Sequence, residues 1–341
     1  MSAVVVDWLG RGGIAQTTRA WVLQLEAAGH STTVVTRRDR ELTGSHVLSP
    51  PEGPHALITH RRVAALAART VRDRDPDIVV VQNYVVPPLE RALDRAMSSC
   101  RGRSIVVMHD HRLHSHTAGT RVGLRQRLRA ADSVVVHSHY VGEAVQAFSS
   151  PTAEPIVIPL PIGPRVDGPL PARTTIHENA DGIETAVSFG VMHRTYKGTD
   201  IVCDLAAAGV EHWQFTIAGV GAPSDAPGVR AVTGYVPATE LDAIIADATA
   251  AILPYRMATQ SAAVALAQRL GTIPIATAVG GIPEQITSGV DGLLLDRDAG
   301  IAEWRAGLDA VRCDQKPMAA AARARADQAT LQFEVAVHAL A

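Results

Sequence analysis

A chain of 341 residues is too long for one ordinary core and fits two domains of roughly 150 residues each. Its 47% hydrophobic and 19% charged content excludes disordered and fibrous classes, and a net charge of -2 gives no reason to expect a nucleic-acid partner. The charge is uneven: residues 1–165 hold 20 Lys and Arg against 14 Asp and Glu, the remainder 12 against 20. An anionic acceptor or a membrane surface would suit the basic half, and plain solvation suits it at least as well.

Met1-Ser-Ala-Val-Val-Val-Asp7 has no basic leader, and its apolar run ends at Asp7, so Ala3–Asp7 is expected as a first strand and not a signal peptide. An amphipathic helix follows over Ile14–Ala28, stopped by Gly29. Further β-rich runs at Thr32–Thr36, Asp77–Gln82, Ser104–His109 and Ser133–His137 read as buried strands separated by helical patterns. Prolines 159, 161, 164, 169 and 171 interrupt this alternation, which restarts with Thr185–Phe189, Phe215–Ala218, Ala250–Leu253, Ile273–Thr277 and Gly292–Leu295. The expected architecture is two α/β, doubly wound, Rossmann-like domains: 1–160, a linker over 161–183, and 184–341, with the last helix free to pack back on the first domain. Ligands of such sheets bind beyond the carboxyl ends of the strands, which directs attention to a cleft between the domains.

Cys100, Cys203 and Cys313 are odd in number and lack CxxC spacing, so reduced, buried thiols in a cytoplasmic protein are expected. No apolar stretch approaches the ~20 residues that span a bilayer. Lysine occurs only at 197 and 316; with abundant alanine, this points to a GC-rich, bacterial genome.

Four loops between a strand and a helix carry residues suited to chemistry. Gly10-Arg-Gly-Gly-Ile14 lets the backbone approach a ligand at a helix start, although it misses the GxGxxG spacing and a tight turn accounts for it equally. Ser188 to Asp200 holds Arg194 and Lys197 three apart, where both heads could reach one diphosphate; a solvated helix start explains them as well. In Pro254 to Val264, Thr259 or Ser261 would cap a helix opened by Ala262, whose free amides form an anion site, and Gln260 could bond sugar or phosphate. Ordinary capping without a ligand is the competing account. In Ala276 to Glu284, Gly280 and Gly281 make a turn and Glu284 favours the first turn of the next helix, a role that could be purely structural.

Taken in order and spacing, these pieces resemble the GT-B glycosyltransferases that retain configuration, in particular glycosyltransferase family four, over essentially the whole chain. The matching residues are Gly12-Gly13-Ile14, His109, Phe189-Gly190, Tyr196-Lys197-Gly198, Thr233 to Pro237, Leu253-Pro254-Tyr255, Thr259-Gln260-Ser261 and Val279 to Glu284. The resemblance implies a hexosyl transfer from a UDP-, GDP- or dTDP-sugar to a small-molecule, glycan or glycolipid acceptor. It implies no cofactor and no metal. It assigns Arg194 and Lys197 to the donor diphosphate, the Gly12-Gly13 loop to the phosphates, His109 to the donor sugar and the loop around Tyr235 to the nucleobase.

One departure stands out. Many relatives carry an E-x7-E motif where this chain has Ala258 and Leu266, so neither carboxylate is present. The absent carboxylates leave a non-catalytic subunit that activates a partner as one alternative; a nucleotide-sugar epimerase of the same two-domain shape is the other, although no clear acid–base pair stands out for it. The run His109-Asp-His-Arg-Leu-His-Ser-His116 looks like a metal cluster, but it follows a strand into a loop with no cysteine, and a solvent-facing acceptor loop is preferred. Arg121, Arg125 and Arg129 recur every four residues on an amphipathic helix, which would suit peripheral contact with anionic lipid at the inner face of a membrane or docking of a phosphorylated acceptor, with a plain solvated face preferred.

Overall fold

The computed structural model describes residues 1–38, 42, 44, 46–82, 87–110, 118–149, 154–161, 182–192 and 195–341. In chain order it runs β1 (Ser2–Asp7), α1 (Gly12–Ala27), β2 (Ser31–Thr36), β3 (Val47–Leu48), α2 (Ala56–Arg74), β4 (Ile78–Gln82), α3 (Pro87–Ser99), β5 (Arg103–Met108), α4 (Ala118–Ala130), β6 (Ser133–Val136), α5 (His139–Ser149) and β7 (Ile156–Val157). It continues with β8 (Glu184–Phe189), a 3-10 turn (Thr195–Lys197), α6 (Thr199–Ala207), β9 (Trp213–Gly219), β10 (Val229–Thr233), α7 (Ala238–Ala246) and β11 (Ala250–Leu253). α8 (Ala262–Leu270), β12 (Ile273–Thr277), α9 (Ile282–Gln285), β13 (Leu293–Leu295), α10 (Ile301–Cys313) and α11 (Gln315–Leu340) complete it.

The chain divides into two compact units, residues 1–164 with 330–341, and residues 165–329. Each holds one parallel sheet, ordered β3-β2-β1-β4-β5-β6-β7 in the first and β10-β9-β8-β11-β12-β13 in the second. The two-residue period of a strand explains why the first sheet needs continuous apolar runs. Val4 and Val6 of β1, Val79 and Val81 of β4, and Val106 and Met108 of β5 face a core shared with α2, α3, α4 and α5. Their neighbours Ala3, Val5, Ile78, Val80, Ile105 and Val107 face a second core, on the side of α1.

That second core is finished by the end of the chain. Phe333, Val337 and Leu340 of α11 pack into it, with Phe333 edge-on to Trp21 at 5.5 Å between ring centroids. Gln24 Nε2 donates to Glu334 Oε1 (3.1 Å) and Arg103 Nη1 to the Leu340 carbonyl (2.9 Å), fixing the same helix end. In the second unit, Phe215, Ile217, Ile252 and Ile275 pack against Val202 and Leu205 of α6 and Trp304, Leu308 and Val311 of α10.

Several details differ from the sequence reading. β3 and β7 are two-residue edge strands, and β10 is a half-exposed edge interrupted by Arg230, so none has the apolar run that marks a central strand. Gly12 and Gly13 form the first turn of α1, not a loop before it. The cysteines are free, but Cys313 is exposed at the end of α10 and Cys100 and Cys203 are only half-buried, so the expectation of buried thiols is corrected. The linker over 161–183 falls almost entirely outside the described residues. Among the described residues, no helix is long and apolar enough to cross a membrane.

The basic helix α4 has a structural occupation. Arg125 Nε donates to the Phe148 carbonyl (2.9 Å) and Arg129 Nε to the Ser149 carbonyl (2.8 Å), both at the end of α5. These carbonyls lack helical partners, and the helix dipole favours positive charge there. Arg121 makes no such bond to α5; its guanidinium lies 5.8 Å from the centre of the Phe148 ring.

Candidate functional site

In each sheet the chain builds outward from one strand and then returns to the other side of it. The switch points lie between β1 and β4 and between β8 and β11. Backbone loops diverge there and leave room for a ligand at the carboxyl ends of the strands.

At the second switch point, the segments after β8 and β11 are joined by the residues the sequence singled out. Gly198 has φ +65°, and a Cβ there would lie 2.1 Å from the Pro254 carbonyl oxygen, so only glycine lets the 3-10 turn press against the end of β11. Arg256 braces the turn from the other loop. Its amide donates to the Tyr196 carbonyl (2.8 Å), its Nη1 to the Thr195 carbonyl (2.8 Å), and its guanidinium pairs with Asp200. Against the desolvation of its partial burial, hydrogen bonds from Arg256 and backbone amides hold the Asp200 carboxyl below the usual carboxylate range.

The braced turn presents Lys197. Its Nζ donates to Tyr255 Oη (3.0 Å) and lies 4.5 Å from the centre of that ring. Tyr255 is buried, and Thr277 Oγ1 donates to its carbonyl. Ser261 is the N-cap of α8: its Oγ accepts from Val264 N (3.2 Å) and donates to Tyr255 Oη (3.1 Å). Ala262 is the first residue of that helix, and Gln260 precedes the cap, half-buried. Gln285 Oε1 accepts from Ser261 N (2.7 Å), and Gly281 N donates to the Thr259 carbonyl (3.1 Å), tying α9 to the cap of α8. Glu284 stands in the first turn of α9, its carbonyl accepting from Arg325 Nη2 at 2.5 Å.

Lys197, Ser261 and Ala262 are thus brought to one place. Tyr235 is exposed in the loop after the edge strand β10, two strands from β8. Arg194 lies outside the described residues. Sequence reasoning gave no role to Tyr255, Arg256, Asp200 or Gln285; for Tyr255 the signal was available, as an aromatic directly after a buried strand.

At the first switch point, Asp7 ends β1 and Gln82 ends β4, paired in register. Asp7 Oδ1 accepts from the amides of Leu9 and Gly10 (2.8 Å each) and its Oδ2 from Thr18 Oγ1 (2.8 Å), so this buried carboxylate shapes the loop that leads to Gly12 and Gly13. Arg11, the N-cap of α1, makes no side-chain capping bond. His109, just past β5, is buried with Nε2 2.7 Å from Gln82 Oε1 and its ring 5.0 Å from that of His137. His137 Nδ1 donates to the Ile158 carbonyl (2.9 Å). Burial, then the neighbouring His137, hold His109 well below the usual imidazole range, and burial takes His137 down to about 4. Both are neutral near pH 7 and suited to hydrogen bonding, not to carrying charge.

The metal question falls on residues 111–117, outside the described residues; among the described ones no group of three or more His, Cys, Asp or Glu could hold an ion.

Residues 11–165 match the family model described as Glycosyltransferase Family 4, and residues 184–310 the model described as Glycosyl transferases group 1. In sequence alone, no curated protein matches the chain. The structure is similar to Anabaena HepE in complex with UDP-glucose, at TM-score 0.71 and 14% identity over 100% of this chain and 99% of that one. It is similar to sucrose-phosphate synthase from Thermosynechococcus elongatus, at TM-score 0.75 and 15% identity over 100% and 99%. It also resembles WaaG, a glycosyltransferase involved in lipopolysaccharide biosynthesis, at TM-score 0.71 and 15% identity over 98% of both chains. The fold is GT-B, and the two family matches support a place among the glycosyltransferases.

Proposed function

We propose that this chain, with a GT-B fold and glycosyltransferase segments in both halves, transfers a hexosyl group from a nucleoside diphosphate sugar to a hydroxyl-bearing acceptor with retention of configuration. The observation that carries the reading is the convergence of Lys197 and the capped N-terminus of α8 at the switch point of the second sheet. An ammonium and helix amides together suit a diphosphate. The crystallisation of HepE with UDP-glucose and UDP supports a nucleotide sugar as the donor.

In this reading the acceptor oxygen forms a bond to the anomeric carbon while the bond from that carbon to the phosphate oxygen breaks. The acceptor proton passes to the departing phosphate. Lys197, Arg194 and the first amides of α8, from Ala262 onward, stabilise the charge that grows there, so they favour the transition state over the bound donor. His109, neutral and fixed by Gln82, meets a donor-sugar hydroxyl; Gly12 and Gly13 approach the phosphates, Tyr235 lines the base, and Gln260 and Glu284 add polar contacts. No step calls for a cofactor or metal. The acceptor is a small molecule, glycan or glycolipid, met in the cytoplasm or at the inner face of a membrane.

The experiment is to incubate the purified chain with UDP-, GDP- and dTDP-sugars and a set of acceptors, in parallel with Lys197→Ala. Transfer by the wild type and a loss on the order of a hundredfold in the variant, with the fold intact, are expected. Equal turnover in the two would remove Lys197 from the mechanism.

One observation favours a second reading, a non-catalytic subunit. The E-x7-E positions are Ala258, half-buried, and Leu266, buried, and neither supplies a carboxylate. Transfer by the pure chain without a partner excludes that reading, and conversion of donor sugar without acceptor would instead indicate an epimerase.

A further inference from the structure

The hydroxyls of Tyr255 and Ser261 hold one proton more than their neighbours use. Tyr255 Oη accepts from Lys197 Nζ (3.0 Å), shares a 3.1 Å bond with Ser261 Oγ, and Ser261 Oγ accepts from Val264 N (3.2 Å). Two hydroxyls carry two protons. The bond between them spends one, whichever way it runs, and the other two bonds spend protons of Lys197 and Val264. Among the described residues, neither hydroxyl has a further hydrogen-bond partner. Both residues are deeply buried, Tyr255 at 2% and Ser261 at 6% exposure, while Lys197 is half-buried and opens the cluster toward solvent. A buried hydroxyl proton without an acceptor is costly, so it marks a place for one.

With Ser261 Oγ donating to it, Tyr255 Oη accepts twice, from Lys197 and from Ser261, and both its lone pairs are engaged. What Tyr255 has left is its own proton, beside the remaining ammonium protons of Lys197. We propose that this proton, presented by Tyr255 Oη, donates to a phosphate oxygen of the nucleoside diphosphate, beside Lys197. The inference rests on the reading under Proposed function and adds to it a binding residue for the leaving group.

Tyr255→Phe is the informative variant, because it removes the hydroxyl and keeps the ring that Lys197 Nζ faces. Binding of UDP, GDP, dTDP and inorganic pyrophosphate to wild type and variant is measured by calorimetry, with the parent nucleosides as controls and a thermal melt as a check on folding. The affinity of pyrophosphate and of the best-bound diphosphate should fall about tenfold, with nucleoside binding unchanged. A purely structural tyrosine would lower the melting temperature and leave the diphosphate-to-nucleoside ratio where it was, and that result overturns the proposal. If Tyr255→Phe binds diphosphates like the wild type while Lys197→Ala does not, only the role of Tyr255 fails. If the wild type binds no diphosphate, the functional reading fails and takes this one with it.

Discussion

Gln285 holds the Ser261 backbone from both sides, its Oε1 accepting from Ser261 N at 2.7 Å and its Nε2 donating to the Ser261 carbonyl at 3.1 Å. Gln268 Nε2 in turn donates to the Gln285 carbonyl at 2.8 Å, which ties the last turn of α8 back to α9. One amide side chain therefore sets where α8 begins.

Gln285→Ala removes both bonds and leaves a half-buried backbone amide and carbonyl to find water. A loss of about 1–3 kcal/mol in a urea titration is expected, together with weaker binding of nucleoside diphosphates. Gln285→Glu keeps the acceptor and loses the donor, so it should fall between the two.

Gly198→Ala tests the close approach of the 3-10 turn to β11. The added methyl would meet the Pro254 carbonyl oxygen at 2.1 Å on a backbone with φ +65°, so the turn must move. Destabilisation of roughly 1–3 kcal/mol is expected, and turnover should fall by more than the loss of folded protein explains, because Lys197 moves with the turn.

Stability should depend on acid through the buried histidines. His137 titrates at about 4 in the folded chain, against the ordinary imidazole value of about 6.5 when unfolded. The unfolded chain therefore takes up protons that the folded one refuses as pH falls below about 6.5. The contribution is complete above that value and is lost progressively toward pH 4; His109, shifted in the same direction, extends the loss further. Urea midpoints measured from pH 8 to pH 4 should stay level and then decline, and His137→Asn should make the decline shallower.

The arginines of α4 should separate by their bonds and not by their charge. Arg129→Gln and Arg125→Gln each remove a guanidinium from the end of α5, at an expected cost of about 0.3–1 kcal/mol, whereas Arg121→Gln should cost less. Thermal melts of the three variants test this. Liposome sedimentation on the same proteins tests the membrane proposal, since contact with anionic lipid would make all three bind less.

Much of this was legible in the sequence because parallel strands buried on both faces need continuous β-branched runs, and Val4–Val6 or Val79–Val81 can be little else. The loops that follow such strands are legible for the same reason, which is how Lys197, Ser261 and His109 stand out as candidates. Partners across the sheet are not. Tyr255 meets Lys197 from 58 residues away and Gln82 meets His109 from 27, distances fixed by which strands are neighbours and not by any local pattern. Edge strands such as β3, two residues long, leave no periodicity to read. The brace of Arg256 on Asp200 looks in sequence like two unrelated surface charges.

Residues 330–341 belong to the first unit, where Phe333, Val337 and Leu340 cover Trp21. During synthesis, the ribosome finishes every strand of the first sheet long before it makes that cover. At ~5–20 residues per second, Trp21 waits on the order of ten seconds or more for Phe333. A fragment ending at residue 164 would never receive it, so the first unit should aggregate when expressed alone and recover when the missing helix is supplied as a peptide.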